Sequence, residues 1–357
     1  MLRQFYKPAI KLLNERNAGR PDIKKAVAQP PSYVHIGLTN RCNLSCRMCP
    51  AHSGSAKFIS DGVTVDPALL EAALGGLKEF SESIRLVGLT DFGEPFLYKD
   101  IFDIIGMVQD TCPGAVTTVT TNGTLLTDPV IEKILSSSLH RVSISLDAGT
   151  KRTYETIRQG ADFERVVAGI KRLTGLRHQR GMARPMVTTN FVIMKSNVHE
   201  LPAYVRLAKR LGVDRAGTVN TLGVFNSDRE AGVFRMPGKK DDAAPYKAVF
   251  REARWAAMTE RMRFGIPRMA PKQPGSNCAA CGRDFPFIDP WGDVYPCCTL
   301  AVKGRESGSA TAPLGNIKRS SLGEIWRSER YSRFREAFYA GRLPDPVCAG
   351  CPRYYQM

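Results

Sequence analysis

The sequence lacks the features that mark several large classes of protein. No run approaches the roughly 20 consecutive apolar residues that a bilayer-spanning helix needs, so a membrane protein is not expected. The first residues, Met1-Leu2-Arg3-Gln4-Phe5, hold no apolar stretch with a small-residue cleavage site, which argues against a secretory signal. The glycine–aromatic signature of RNA-binding domains is missing too, so charge alone does not predict a nucleic-acid partner. The sequence therefore predicts a cytoplasmic protein.

Acidic residues are in short supply. The 357 residues include 34 Asp and Glu against 51 Lys and Arg, a formal net charge of +17. Such an excess attracts anionic partners such as phosphorylated metabolites or acidic peptides. The alternative is that Lys and Arg merely solvate the surface. Part of the excess lies in residues 1–32, which we expect to form a basic N-terminal extension. Because 43% of the residues are hydrophobic, the chain can still build a substantial core.

The ten cysteines are too many for a reducing compartment unless they have a function there. Cys112 stands alone and is interpreted as an inert thiol. The others fall in two groups: Cys42, Cys46 and Cys49 in the first, and Cys278, Cys281, Cys297, Cys298, Cys348 and Cys351 in the second. A disulfide scaffold would spread its cysteines through a short secreted chain. Their grouping instead predicts metal binding.

Short β-rich runs alternate with longer helical stretches from residue 33 to about residue 220. The expected strands are 33–38, 84–89, 115–120, 141–146, 186–193 and 213–219, and the expected helices are 66–80, 98–110, 127–137, 150–177 and 197–211. Six strands alternating with helices predict an α/β fold with a parallel sheet, a partial (β/α)6 TIM-like barrel whose site lies at the carboxyl ends of the strands. The expected domains are a barrel over 33–225, a linker with a helix over 226–277 and a small cysteine-rich domain over 278–357.

The strongest motif is Cys42-Asn43-Leu44-Ser45-Cys46-Arg47-Met48-Cys49, which follows the first expected strand. Three thiolates in one tight loop can hold three irons of a [4Fe–4S] cluster and leave the fourth iron open. A structural zinc ion would want a fourth ligand, for which His52 is the local candidate.

This motif, in this position, resembles the hallmark of the radical S-adenosylmethionine (radical SAM) enzymes. The resemblance extends over residues 33–225 through Gly93-Glu94-Pro95, Thr121-Asn122-Gly123, Ser143-Ile144-Ser145-Leu146-Asp147 and Tyr154-Glu155-Thr156-Ile157-Arg158. The family's loop usually has two glycines before the glutamate, and Phe92 replaces the first of them here. Each accessory motif is weak alone, since Asn122-Gly123 is also an ordinary turn and Asp147 can cap a helix.

The resemblance implies a set of SAM contacts. Gly93 and Glu94 would bind the amino group of the methionine moiety. Ser145 and Asp147 would lie near the ribose and the carboxylate, and Arg158 would pair with that carboxylate. The other implied contacts are Met48, Asn122 and the segment from Val192 to Met194. Candidates for the substrate side, from their positions at strand ends, are His52, Asn190 and Asn220.

The second cysteine group resembles the SPASM/Twitch extension, which holds auxiliary [4Fe–4S] clusters beside a radical SAM barrel. The resemblance implies one auxiliary cluster on Cys281, Cys297, Cys348 and Cys351, with Cys278 as a substitute for one of them. The alternative is a four-cysteine zinc ribbon. A hairpin is expected around Pro290-Trp291-Gly292, with Ile288 and Val294 on its paired strands. Cys298 is a candidate hydrogen-atom donor, or simply a small packing residue.

By resemblance, the protein would reductively cleave SAM to a 5′-deoxyadenosyl radical with an electron from a flavodoxin or ferredoxin. The radical would abstract hydrogen from a small polar substrate (sugar-, cyclitol- or phosphometabolite-like), giving dehydrogenation or epimerisation. One alternative is a SPASM maturase that modifies a ribosomal peptide, although 32 residues ahead of the barrel are too few for a leader-binding domain. A remoter alternative is an iron–sulfur electron carrier that never binds SAM.

Overall fold

A computed structural model describes residues 22–53, 62–220, 244–266, 278, 285–305 and 311–351 of the chain. Within these residues no helix combines the length and apolar character that a bilayer crossing requires.

Strands and helices alternate through the first domain, which confirms the expected α/β fold. The strands are β1 Tyr33–Ile36, β2 Leu86–Gly88, β3 Val116–Thr121, β4 Arg141–Ser145, β5 Met186–Ile193 and β6 Arg215–Asn220. They pair in parallel and in sequence order, so their carboxyl ends meet at one edge. The helices are α1 Ile23–Ala28, α2 Pro67–Glu79, α3 Ile101–Thr111, α4 Asp128–Ser136, α5 Lys151–Ile157, α6 Phe163–Gln179 and α7 Leu201–Arg210.

The single helix expected over residues 150–177 is wrong, because the chain forms α5 and α6 with a break between them. Gly160 sits in the break with φ of 91°, a conformation that glycine adopts at little cost. A new helix then begins where the Asp162 side chain accepts a hydrogen bond from the Arg165 N–H at 3.1 Å. The break places Arg158 at the end of α5, where its side chain turns into the site.

The segment expected to link the two domains contributes to the barrel sheet. Helix α8, Lys247–Thr259, packs on α7, and β7, Phe264–Gly265, pairs in parallel with β6. The exact limits of the linker stay a prediction, since residues 221–243 and 267–277 lie outside the described residues.

The cysteine-rich domain continues the same sheet on its other side. Strand β8, Phe287–Ile288, pairs in parallel with β1 and forms a hairpin with β9, Asp293–Tyr295, in which Ile288 faces Val294 as expected. Strand β10, Gly315–Asn316, completes a ten-stranded sheet ordered β10-β9-β8-β1-β2-β3-β4-β5-β6-β7. The remaining helices are α9 Cys298–Gly304, α10 Leu322–Arg327 and α11 Glu329–Tyr339.

Helix α1, from the basic N-terminal extension, is held against this second domain. The Gln29 carbonyl accepts a hydrogen bond from the Trp326 indole at 3.1 Å, and the Val27 carbonyl accepts one from Arg335 at 3.2 Å. Arg335 is almost fully buried, with its guanidinium 4.0 Å from the centre of the Trp326 ring. These contacts tie the start of the described chain to its end.

Candidate functional site

The three-cysteine loop begins just beyond β1 and lies across the turn that follows α5. The Ser45 N–H donates to the Gln159 carbonyl at 3.0 Å, and the Arg47 N–H donates to the Ile157 carbonyl at 2.9 Å. Buried and exposed side chains alternate along the loop: Leu44 and Cys46 are buried, and the residues on either side of each are exposed. The backbone therefore turns the thiols toward the carboxyl ends of the strands.

The thiols have polar neighbours on the barrel side. The Arg158 guanidinium lies 3.8 Å from the Cys46 sulfur, and the Asn122 amide lies 3.9 Å from the Cys42 sulfur. Burial raises the pKa of the Cys46 thiol to about 11, a rise that Arg158 opposes, and burial also raises the pKa of Cys42 and Cys49. Such thiols become thiolates when a metal replaces the proton, which is the donor chemistry that an iron–sulfur cluster requires.

The arrangement of the three thiols bears on whether they would hold a cluster or a single ion. In the described parts of the chain, no three Cys, His, Asp or Glu side chains converge as the ligands of one metal ion. A cubane binds each thiolate to a different iron and needs no such convergence. Burial lowers the pKa of His52, the alternative zinc ligand.

Glu94 connects the loop after β2 to the end of β3. One carboxylate oxygen accepts from the Thr121 hydroxyl at 2.7 Å and from the Phe96 N–H at 3.2 Å, and the other accepts from the Asn122 N–H at 2.7 Å. The side chain is 1% exposed. An ionised carboxylate has about four acceptor sites, so these contacts leave capacity for one more donor. Binding of an ammonium by Glu94 stays a prediction.

Gly93 allows the loop after β2 to pack directly against the backbone that precedes the cysteine loop. A β-carbon at position 93 would lie 2.5 Å from the Thr39 carbonyl oxygen and would also clash with the Arg41 carbonyl. Both are backbone atoms directly before Cys42, so the contact cannot be relieved by a side-chain rotation. The close approach of the two loops therefore requires glycine at position 93.

We expect Gly93→Ala to destabilise the protein by about 1–3 kcal/mol, because backbone must move to admit the methyl group. Iron content after anaerobic reconstitution should fall as the cysteine loop shifts. Gly106→Ala is the matched control, since Gly106 lies within α3 with nothing within 4 Å of an added β-carbon. That change should raise stability by up to about 1 kcal/mol through helix propensity. Equal effects of the two substitutions in urea unfolding would contradict the steric argument.

Asp147 and Arg158, both expected to contact SAM, pair with each other. One Asp147 oxygen accepts from the Arg158 Nε at 2.7 Å, and the other accepts from the Val192 N–H at 2.6 Å. Both side chains are buried. Burial raises the pKa of the Asp147 carboxyl, and the Arg158 guanidinium opposes that rise. Arg158 thereby joins the end of β4 to the cysteine loop, and any contact with SAM stays a prediction.

The other expected SAM residues gather at the same edge. Asn122 donates to the Asn43 side chain at 2.9 Å and accepts from the Thr124 N–H at 2.9 Å. Ser145 ends β4, Met194 follows β5 and is buried, and Met48 is half-buried within the cysteine loop.

The substrate-side candidates are not brought together by any contact described here. Asn190 donates to the Ser143 hydroxyl at 2.6 Å, and Asn220 is buried at the end of β6. Sequence reasoning missed Asn197, whose amide donates to the Asp147 and Val192 carbonyls, both at 2.9 Å. Its position shortly after the end of β5, at the edge where the site lies, was the sequence signal that could have identified it.

A second cluster of charged groups lies where the two domains join, and sequence reasoning missed it as well. Asp91, Asp289, Trp291 and Arg305 line a cavity of about 20 Å³, enough for one water molecule. Arg305 contacts Asp289 and lies 4.1 Å from the centre of the Trp291 ring. Burial raises the pKa of Asp91 to about 8, with the Asp289 carboxylate adding to the rise.

The second group of cysteines is largely buried in the C-terminal domain. Cys278, Cys297, Cys348 and Cys351 are each at most 2% exposed, and the last two lie on one turn, joined by a backbone hydrogen bond of 3.2 Å. Cys281 lies outside the described residues, so its place among the ligands stays a prediction. Cys298 is half-buried as the first residue of α9, and its role as hydrogen-atom donor stays a prediction too.

Three cysteines at the carboxyl edge of the barrel, together with a second domain of buried cysteines, fit an iron–sulfur protein. Comparison with known families narrows this class. The radical SAM superfamily model matches residues 36–208, and the SPASM model, an iron–sulfur cluster-binding domain, matches residues 278–352. The chain belongs to the radical SAM superfamily and carries a C-terminal SPASM domain. Its cofactors are accordingly a SAM-binding [4Fe–4S] cluster, SAM and an auxiliary iron–sulfur cluster, as expected.

Three curated relatives align over most of the chain. The tungsten-containing aldehyde ferredoxin oxidoreductase cofactor-modifying protein of Pyrococcus furiosus is 25% identical over 89% of this chain and 86% of its own length. The AdoMet-dependent heme synthase of Methanosarcina barkeri is 27% identical over 91% of this chain and 92% of its own length. The PqqA peptide cyclase of Xanthomonas campestris is 25% identical over 91% of this chain and 80% of its own length.

Among solved structures, Streptococcus suis SuiB bound to the precursor peptide SuiA is similar in fold. It superposes with a TM-score of 0.62 at 16% identity, covering 93% of this chain and 72% of that one.

Proposed function

We propose that this protein is a radical SAM enzyme that modifies a peptide. The observation that carries the proposal is the similarity to the PqqA peptide cyclase over 91% of the chain. The peptide-bound SuiB structure, which has the same fold, adds support. The net charge of +17 also suits a peptide with acidic residues. Peptide modification thus gains more support than the small polar substrate that the sequence favoured.

The small-molecule alternative keeps one specific observation in its favour. Two relatives of similar identity are named for work on a cofactor and on heme, not on a peptide. The type of reaction, whether dehydrogenation, epimerisation or cross-linking, depends on which of these substrates the enzyme binds.

When bound, the reduced cluster and SAM supply a radical that abstracts hydrogen from carbon. The chain's own residues provide the surroundings for this chemistry. Cys42, Cys46 and Cys49 would hold the cluster, while Arg158 adds positive charge beside the Cys46 sulfur. Glu94 and Asp147 fix the loops after β2 and β4 through buried hydrogen bonds, so the site is organised before a ligand arrives.

The substrate class can be tested with an extract of the source organism grown in heavy water. The reconstituted enzyme is incubated anaerobically with SAM, a reductant and the deuterated extract, and 5′-deoxyadenosine is analysed by mass spectrometry. Deuterium in this product reports hydrogen abstraction from a component of the extract. We expect the deuterium signal to disappear after the extract is digested with peptidases.

A signal that survives digestion and follows the low-molecular-weight fraction would overturn the peptide proposal and favour a small metabolite. Complete failure to form 5′-deoxyadenosine, with or without extract, would favour the electron-carrier alternative.

We further propose a cytoplasmic location, because cysteine-ligated clusters need a reducing compartment.

A further inference from the structure

Tyr154 is a fully buried side chain whose hydroxyl lacks a hydrogen bond. It lies within α5, is 0% exposed, and packs its ring against that of Phe163 at a centroid distance of 5.4 Å. None of the described residues forms a hydrogen bond with the Tyr154 hydroxyl, which is also cut off from solvent. A buried hydroxyl of this kind lowers the stability of a protein, and proteins retain such groups where they serve a function.

The position of Tyr154 in α5 brings it near the cysteine loop. It lies one helical turn before Arg158, whose N–H donates to the Tyr154 carbonyl at 2.8 Å and whose guanidinium lies 3.8 Å from the Cys46 sulfur. Burial raises the pKa of the Tyr154 hydroxyl, Arg158 opposes the rise, and the charges of Asp147 and Cys46 add to it. The hydroxyl therefore keeps its proton and lies within electrostatic range of the Cys46 sulfur.

The chemistry of these three ionisable neighbours selects the acceptor. The Arg158 guanidinium can only donate. The two Asp147 oxygens already accept hydrogen bonds, one from Arg158 and the other from the Val192 N–H. Cys46 is different, because a thiol is a weak acceptor, whereas the thiolate that forms when a metal replaces the proton is a strong one. Loading of the cluster therefore creates an acceptor for the Tyr154 hydroxyl.

We propose that Tyr154 is a positioning residue for the SAM-binding cluster, and that its hydroxyl donates a hydrogen bond to the Cys46 thiolate when the cluster is bound. A hydrogen bond to a cluster sulfur stabilises negative charge there, so this one favours the reduced cluster. It also gives the hydroxyl a partner. The proposal rests on membership of the radical SAM superfamily and is independent of the substrate, peptide or otherwise.

The test removes only the hydroxyl, with Tyr154→Phe, and measures the potentials of the reconstituted protein by a redox titration followed by EPR. The signal that changes when SAM is added identifies the SAM-binding cluster. We expect reduction of this cluster to become about tenfold less favourable, a shift of about 59 mV to lower potential. The auxiliary cluster in the same molecule should keep its potential. Because EPR observes only loaded molecules, incomplete reconstitution does not affect the measurement.

The matched control is Tyr204→Phe. Tyr204 is also 0% exposed and packs on a phenylalanine ring, that of Phe191, at 5.0 Å. Its hydroxyl, in contrast, donates to the Gly217 carbonyl at 3.0 Å and lies 2.9 Å from the Thr189 hydroxyl. Tyr204→Phe should leave both cluster potentials at their wild-type values. Its unfolding equilibrium constant in urea should rise about tenfold, both before and after reconstitution, because these bonds belong to the protein alone.

Tyr154→Phe should behave differently in the same urea experiment. Before reconstitution we expect no loss of stability, because the hydroxyl has no bond to lose, and after reconstitution a several-fold rise in the unfolding equilibrium constant. A wild-type potential in Tyr154→Phe, or an equal shift in both variants, would overturn the proposal. So would a loss of stability before reconstitution as large as that of Tyr204→Phe.

A measurement on the wild type covers the case in which Tyr154→Phe takes up no cluster. The protein is produced with ring-deuterated tyrosine, and the reduced SAM-binding cluster is examined by pulsed EPR. We expect a deuterium coupling, because the donating ring lies next to a cluster ligand. Its absence would contradict the assignment.

Discussion

Replacing Cys46 with alanine is expected to abolish reductive cleavage of SAM. The Cys46 sulfur is the buried thiol next to Arg158, and a loop with two remaining thiols has too few ligands for a cubane that keeps an open iron. Anaerobic reconstitution should give a protein that retains its auxiliary cluster iron and loses the rest. Chromatography should detect no 5′-deoxyadenosine above background.

Cys112→Ala is the appropriate control for this loss. Cys112 is fully buried, but it lies after α3, where its sulfur is 3.7 Å from the Leu77 carbonyl oxygen. Its removal should cost about 1 kcal/mol of stability through lost packing and leave iron content and 5′-deoxyadenosine formation unchanged. A Cys46→Ala protein that still made 5′-deoxyadenosine would contradict the ligand assignment.

Arg158→Ala is expected to be the most destabilising single change in the site. It would leave the Asp147 carboxylate, which is 0% exposed, without its cationic partner. Removing one member of a buried ion pair costs about 3–5 kcal/mol, because the remaining charge cannot be solvated. Urea unfolding of the anaerobically purified protein measures this loss.

Two further variants test whether the ion pair is the cause. Arg180→Ala removes an exposed arginine that contacts Glu132 through two hydrogen bonds, and should cost no more than about 1 kcal/mol. Adding Asp147→Asn to Arg158→Ala should recover part of the stability, because the amide carries no charge to bury. An Arg158→Ala protein as stable as Arg180→Ala would show that the pair contributes little.

The barrel was predictable from the sequence because its strands are short, β-branched and buried, and its helices carry clear start signals such as Asp66-Pro67. All six expected strands are present, with ends shifted by only a few residues. The division of 150–177 into two helices had local signals in Gly160 and Asp162, but the amphipathic pattern on both sides of them favoured one continuous helix. The addition of β7 to the sheet was hidden by its length of only two residues.

The site was predictable in its residues and less so in their contacts. Motif spacing indicated Glu94, Asn122, Asp147 and Arg158, yet no sequence pattern shows that Asp147 and Arg158 are partners. The junction of Asp91 with Asp289 was also out of reach, since almost 200 residues separate these positions along the chain. Long-range charge pairs form only once the sheet order is set, and spacing arguments do not extend that far.

Because β8 pairs with β1, the auxiliary domain is difficult to truncate or to exchange for that of a relative. A chain truncated before residue 285 would expose the backbone groups of His35 and Ile36 that now pair with Phe287 and Ile288. An unpaired edge of this kind invites aggregation. Chimeras that exchange SPASM domains between relatives should therefore carry β8 and β1 from the same parent, so that the seam falls in a loop and not within a ladder of hydrogen bonds.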